Sequence, residues 1–138
     1  MSQRTNSIRI IRAMCRSAVI LVAPAMIGIM WQFEVKAGCE SDFEQLYSAD
    51  GEWSILNRQT RSFLGGSFLR DQNRSTRYIL IEYWSEMLLH EQHRTYRSDM
   101  IASLEAQRAR LVDSVEPLGV FTALHVPDRS GPTWSKGR

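Results

Sequence analysis

Tyr83 and Trp84 close the apolar run "YILIEYW", and His90 and His93 follow shortly after it. An indole supplies a stacking face and one N–H donor, while an imidazole titrates near neutrality. A strand end carrying the first and a helix carrying the second can form the rim of a cleft with its own general base, which makes Trp84 and His90 the candidate catalytic residues. His90 is one helical turn from Glu86 and from His93, so a surface histidine paired with Glu86 is the plainer alternative. "HEQH" brings the second histidine one residue too early for the H-E-x-x-H zinc pattern, and no metal site is expected. His93 falls in the apolar series of its helix and is assigned to packing. Trp31 and Phe33 can line the same cleft from an earlier strand, although aromatics at strand spacing also build cores. Arg70 can hold an acidic substrate, or simply be solvated beside Asp71. Gly65 and Gly66 make no phosphate loop, because no helix start follows them.

The elements that must position these residues follow from periodicity. Ile29, Trp31, Phe33 and Val35 alternate with Met30, Gln32, Glu34 and Lys36, the period of a half-buried strand. Gly38 turns the chain into a helix beginning near Ser41 with Phe43, Leu46 and Tyr47, which "SADGEW" interrupts before Trp53 and Leu56 resume helical spacing to about Arg61. "SFLGGSFLR" is a second strand whose paired glycines suggest a bulge or a close approach by another group. "DQNRSTR" is a turn, and "YILIEYW" is the most apolar and hence most central strand. Ser85 is suited to cap a helical region that is one long helix or two joined near Arg97 to Asp99, ended by Pro117 and Gly119. "VFTALHV" is the last strand and "PDRSGPTWSKGR", residues 127–138, a tail.

The order strand, helix, strand, strand, helix, strand is the ferredoxin-like α+β arrangement, a four-stranded antiparallel sheet with its helices on one face. The bare face would carry Ile79, Ile81, Tyr83, Phe121 and Ala123, enough apolar area to call for a homodimer that closes sheet against sheet.

A length of 138 residues with 43% hydrophobic and 23% charged content fits one globular domain, assigned to residues 26–126. The formal charge of +2, with arginines dispersed, argues against nucleic acid as a partner. Cys15 and Cys39 suggest free thiols rather than a disulfide framework. Residues 1–25 are read as an extension. Arg4, Arg9, Arg12 and Arg16 precede an apolar stretch and "APA", which resembles an export signal, and a start at Met26 or Met30 is the other reading. The 14 apolar residues from Ala18 to Trp31 fall short of the roughly 20 needed to cross a bilayer. No stable membrane span is expected, and the expected location is cytoplasmic with export left open.

From about Ile27 to Val126 the chain resembles the antibiotic biosynthesis monooxygenase superfamily, on "WQFEVKAGCESDFEQLY", "SADGEW", "FLGGSFLRD" and "YILIEYWSE" in this order and spacing. The resemblance implies a dimeric α+β barrel and oxidation of a quinol- or anthrone-like small aromatic by O2 with no cofactor. Such chemistry needs little machinery: the ionised substrate itself reduces oxygen, and the protein supplies a dry pocket and donors for the developing anion. By the same resemblance Trp84 matches the family's strand-end tryptophan, His90 stands where a tyrosine is found six residues later, and Leu80 replaces an asparagine. Haem-degrading relatives would need a first-strand asparagine, where Gln32 stands, with a helical tryptophan and a later histidine that are missing here. A non-catalytic, ligand-binding or structural dimer is the reading from another class.

Overall fold

The computed structural model describes residues 26–125. The expectations for residues 1–25, for the tail at 127–138 and for Cys15 lie outside them; Cys39 is a free thiol. The element order is β1 (Ile27–Val35), α1 (Glu40–Tyr47), α2 (Glu52–Arg58), β2 (Phe63–Arg70), β3 (Arg77–Trp84), α3 (Met87–Tyr96), α4 (Ser98–Ala109) and β4 (Val112–Thr122). The strands form one antiparallel sheet in the order β2-β3-β1-β4, the ferredoxin-like arrangement. Among the described residues no helix is long and apolar enough to cross a membrane.

The alternation of β1 and β3 sets the two faces. Ile27, Ile29, Trp31 and Phe33 pair with Trp84, Glu82, Leu80 and Tyr78, and this row lies under the helices. Gly28, Met30 and Gln32 pair with Tyr83, Ile81 and Ile79 on the opposite, uncovered face. There Tyr83 lies against Gly28, Phe121 and Leu69 are about half exposed, and Ile79 and Ile81 are intermediate. Beneath the helices, Phe33, Phe43, Tyr47 and Tyr78 form a contiguous aromatic core with ring centroids 5.0–5.4 Å apart.

The interrupted first helical region exists as two helices. Gly51 starts α2 with its N–H on the Ser48 carbonyl, and it passes so close to α1 that a Cβ there would collide with the carbonyl oxygens of Gln45 and Leu46. Both readings of the paired glycines hold. The β2–β3 register shifts between Phe63 and Gly65, and a Cβ on Gly66 would lie 2.7 Å from the Ile81 carbonyl oxygen.

Three local expectations are corrected. Glu86, not Ser85, is the N-cap of α3, without a side-chain cap bond, while the Ser85 N–H is spent on the Ser62 carbonyl. The second helical region is two helices that meet at Arg97, the second of the two readings, and it ends at Ala109 rather than at Pro117. β4 therefore begins at Val112, with Pro117 and Gly119 inside it. That strand is at the sheet edge, where proline is tolerated, and the register shifts opposite Met30 and Trp31, where Gly119 takes a φ of 134°. Leu111 and Val115 fit a helical spacing, but Val112 and Val115 pair with Val35 and Phe33 in the sheet.

Candidate functional site

A cavity of about 260 Å³ lies between the sheet and the second pair of helices. Trp31 and Phe33 of β1, Leu80 of β3 and Trp53 of α2 supply its apolar wall. His90 and Arg94 reach it from α3, and Glu105 and Arg108 from α4. The helical spacings that place these polar residues on it are the i, i+4 of His90 and Arg94 and the i, i+3 of Glu105 and Arg108.

The polar groups are strongly ordered. Arg94 pairs with Glu105 Oε1 at 2.7 Å, and Arg108 approaches the other oxygen at 3.8 Å. Arg108 also donates to the Tyr47 hydroxyl at 3.0 Å and lies over the rings of Phe33 and Trp53, 5.5 and 5.9 Å from their centroids. Its Nε is buried with no hydrogen-bond partner. Burial pushes the Tyr47 phenol up to about 12 although Arg108 pulls it down, so Tyr47 stays neutral.

His90 is 6% exposed, which removes the reading of a surface histidine paired with Glu86. Burial, then the charge of Arg94 and the neighbouring His93, lower it to about 4, so the ring is neutral at physiological pH. Its Nδ1 is buried without a partner. His93, also buried, exchanges a 2.7 Å hydrogen bond with Thr60 through Nδ1, in keeping with a packing role. Each ring centroid is 4.9 Å from the Trp84 indole.

Trp84 itself does not line the cavity. It is fully buried behind His90, with Ile27, Ile29 and Phe63 around it, which corrects the expectation of an indole bordering the hollow. The reason is Glu82, a residue that motif reasoning passed over. Its carboxylate is 3% exposed and accepts from Trp84 Nε1 at 3.2 Å, Trp53 Nε1 at 2.5 Å and Asn57 Nδ2 at 2.9 Å. Burial raises the Glu82 pKa, and the three N–H donors pull it back. Both indole N–H groups are consequently spent inside the fold. A lone carboxylate in the most apolar strand was the signal available for it, since buried acids must find donors.

Of the expected substrate-binding residues, the fold brings Trp31 and Phe33 to the cavity with His90. It does not bring Arg70, which sits at the far end of β2, largely exposed and paired with Glu44 of α1 at 3.1 Å. Trp53, Leu80, Arg94, Glu105 and Arg108 complete the wall and were missed, because helical spacing does not tell which turn faces a hollow. Among the described residues no group of three or more His, Cys, Asp or Glu side chains could hold a metal ion.

Fold and site together define a ferredoxin-like α+β protein with a partly open cavity, lined in part by aromatic residues, under its helices. Solved structures share this fold. SnoaB, a cofactor-independent oxygenase from Streptomyces nogalater, is 20% identical with a TM-score of 0.60, covering 74% of this chain and 96% of its own. A candidate antibiotic biosynthesis monooxygenase from Bordetella bronchiseptica is 22% identical at a TM-score of 0.57, over 75% and 99% of the two chains. Another from Nitrosomonas europaea is 13% identical at 0.61, over 74% and 93%. The structural neighbours thus include several proteins of the antibiotic biosynthesis monooxygenase type, and at these identities the likeness is one of fold. No protein-family model and no curated protein matches the sequence.

Proposed function

We propose that this protein is a cofactor-independent monooxygenase-like enzyme that oxidises a small hydroxylated aromatic with O2. The observation that carries this reading is His90: a neutral imidazole on the cavity wall whose Nδ1 is shut off from solvent, which leaves Nε2 as the nitrogen a ligand can reach. Such a nitrogen can accept a proton from a bound phenol or quinol, depending on its tautomer, when the conjugate anion remains beside it to offset the buried charge. The substrate anion then reduces O2. For an anthrone-like CH2 group, addition of O2 at carbon gives a hydroperoxide, and loss of water from it leaves the carbonyl, so that one O2 yields one C=O and one H2O. Trp31, half-buried on the wall, serves to stack the ring, and the buried Phe33 and Trp53 keep that wall apolar. The uncovered sheet face supports a homodimer, since Met30, Ile79, Ile81, Tyr83, Leu69 and Phe121 lie on it.

A second reading, a non-catalytic ligand-binding protein, is favoured by one pair of facts: Leu80 stands on the cavity wall, and the Trp84 N–H is taken by Glu82. Neither can steady an oxyanion. Anaerobic protein mixed with a panel of dihydroxynaphthalenes and anthrones, then exposed to air, separates the two. Oxygen uptake well above the buffer rate, lost in His90→Ala, is the expected result; uptake at the buffer rate across the panel leaves the binding reading.

A further inference from the structure

Resting on the reading of this cavity as the ligand site, we infer that its ligand is a planar aromatic anion of one or two rings, held at its charged end by Arg108. The size comes first. At about 260 Å³ the cavity is smaller than the roughly 300–1,000 Å³ of pockets that enclose drug-sized molecules, and Trp31, half-buried on its wall, suits something flat. Charge comes second. Two guanidinium groups face it against one carboxylate, and Glu105 is committed to Arg94 at 2.7 Å while standing 3.8 Å from Arg108. One carboxylate shared by two guanidinium groups leaves the trio with one net positive charge. The neighbouring Tyr47 hydroxyl is neutral, and the buried Glu82 carboxylate, itself not on the cavity wall, accepts from three N–H donors.

Preorganisation is the third point. Arg108 is 15% exposed in its side chain, braced by Tyr47 and by the faces of Phe33 and Trp53, and so loses little freedom when it binds an anion. Trp31, a lining aromatic that stays partly exposed, gives an aromatic ligand a surface in the same cavity as the charge. With Leu80 apolar and the Trp84 N–H spent, the cations are the groups on the cavity best suited to an anion.

Calorimetric titration of the full chain with hydroxynaphthoate, neutral naphthol and the three-ring anthracene carboxylate tests this. Hydroxynaphthoate should bind at least about tenfold more tightly than naphthol, the gap should narrow as salt rises, and the three-ring acid should not bind. Arg108→Gln should abolish the gap. Because Arg108 also braces Tyr47, Arg94→Gln is the second variant: it frees Glu105 to neutralise Arg108 and should shrink the anion preference with the aromatic wall intact. Equal affinity for naphthol and hydroxynaphthoate, or tight binding of the three-ring acid, would overturn the inference. Oxygen uptake is followed in parallel. Binding of the acid without turnover of any hydroxylated aromatic keeps the ligand class and removes the monooxygenase reading, whereas turnover of three-ring anthrones without anion preference does the reverse.

Discussion

The Trp84 indole gives its N–H to Glu82 Oε1 at 3.2 Å, two residues back along the same strand. Both side chains point to the helix-covered face, so the donor that a strand-end tryptophan could offer a substrate is turned into the fold. Glu82 also receives Trp53 and Asn57, which ties β3 to α2. Glu82→Leu orphans three buried donors and should cost about 3 kcal/mol or more. Glu82→Gln keeps one acceptor but sets its amide N–H groups against a donor, and about 1–3 kcal/mol is expected. Urea unfolding measures both, and a midpoint unchanged in Glu82→Leu would show that the carboxylate contributes nothing net.

His90 is expected to act through Nε2, the ring nitrogen not shut off from solvent, rather than as packing alone. His90→Gln should lower the oxidation rate by about a hundredfold, the smaller end of what a general base contributes. Steady-state oxygen uptake alongside thermal unfolding distinguishes a catalytic loss from a folding loss.

Both histidines also fix an acid limit. Their folded pKa values, about 4, lie below the ordinary 6.5, so the unfolded chain binds more protons between these values. Their contribution to stability is complete above about 6.5 and is lost as pH falls through 4. Glu82, raised above 4.5, contributes with the opposite sign there, but it is one group against two. The melting temperature should therefore fall as pH drops from 7 to 4, and the fall should be shallower in the His90→Gln, His93→Gln double variant.

Gly51 positions Trp53, a wall of the cavity. Gly51→Ala forces a methyl against the α1 carbonyl oxygens of Gln45 and Leu46, and overpacking of this kind costs about 1–3 kcal/mol. Differential scanning calorimetry should show the loss, and a blue- or red-shifted tryptophan emission should accompany it. An unaltered melting curve would mean that α1 and α2 are not braced as described.

On the uncovered sheet face, Tyr83→Glu and Phe121→Glu place charge within an apolar surface that a second copy is proposed to cover. Either substitution should shift sedimentation from dimer toward monomer without loss of helical circular dichroism. A wild-type chain that sediments as a monomer at high concentration would remove this part of the proposal.

The architecture was legible from the sequence because it follows from local pattern: the alternation in β1, the apolar run of β3, the break before Trp53 and the paired glycines of β2 each state their structure within a few residues. Besides the cap, which falls at Glu86, the exception is the end of the second helical region. Leu111 and Val115 suit a helix spacing, and only pairing with β1 made that stretch an edge strand able to hold Pro117 and Gly119. The site was legible in part. Trp31, Phe33 and His90 could be picked by type and place, whereas Arg94, Glu105 and Arg108 look like any charged helix surface until α3 and α4 fold across the sheet. Residue type said that Trp84 had an N–H to give, and tertiary structure decided that Glu82 receives it. A hydrogen bond goes to the partner that three-dimensional packing brings near, and a buried carboxylate competes for donors that would otherwise be left to a substrate.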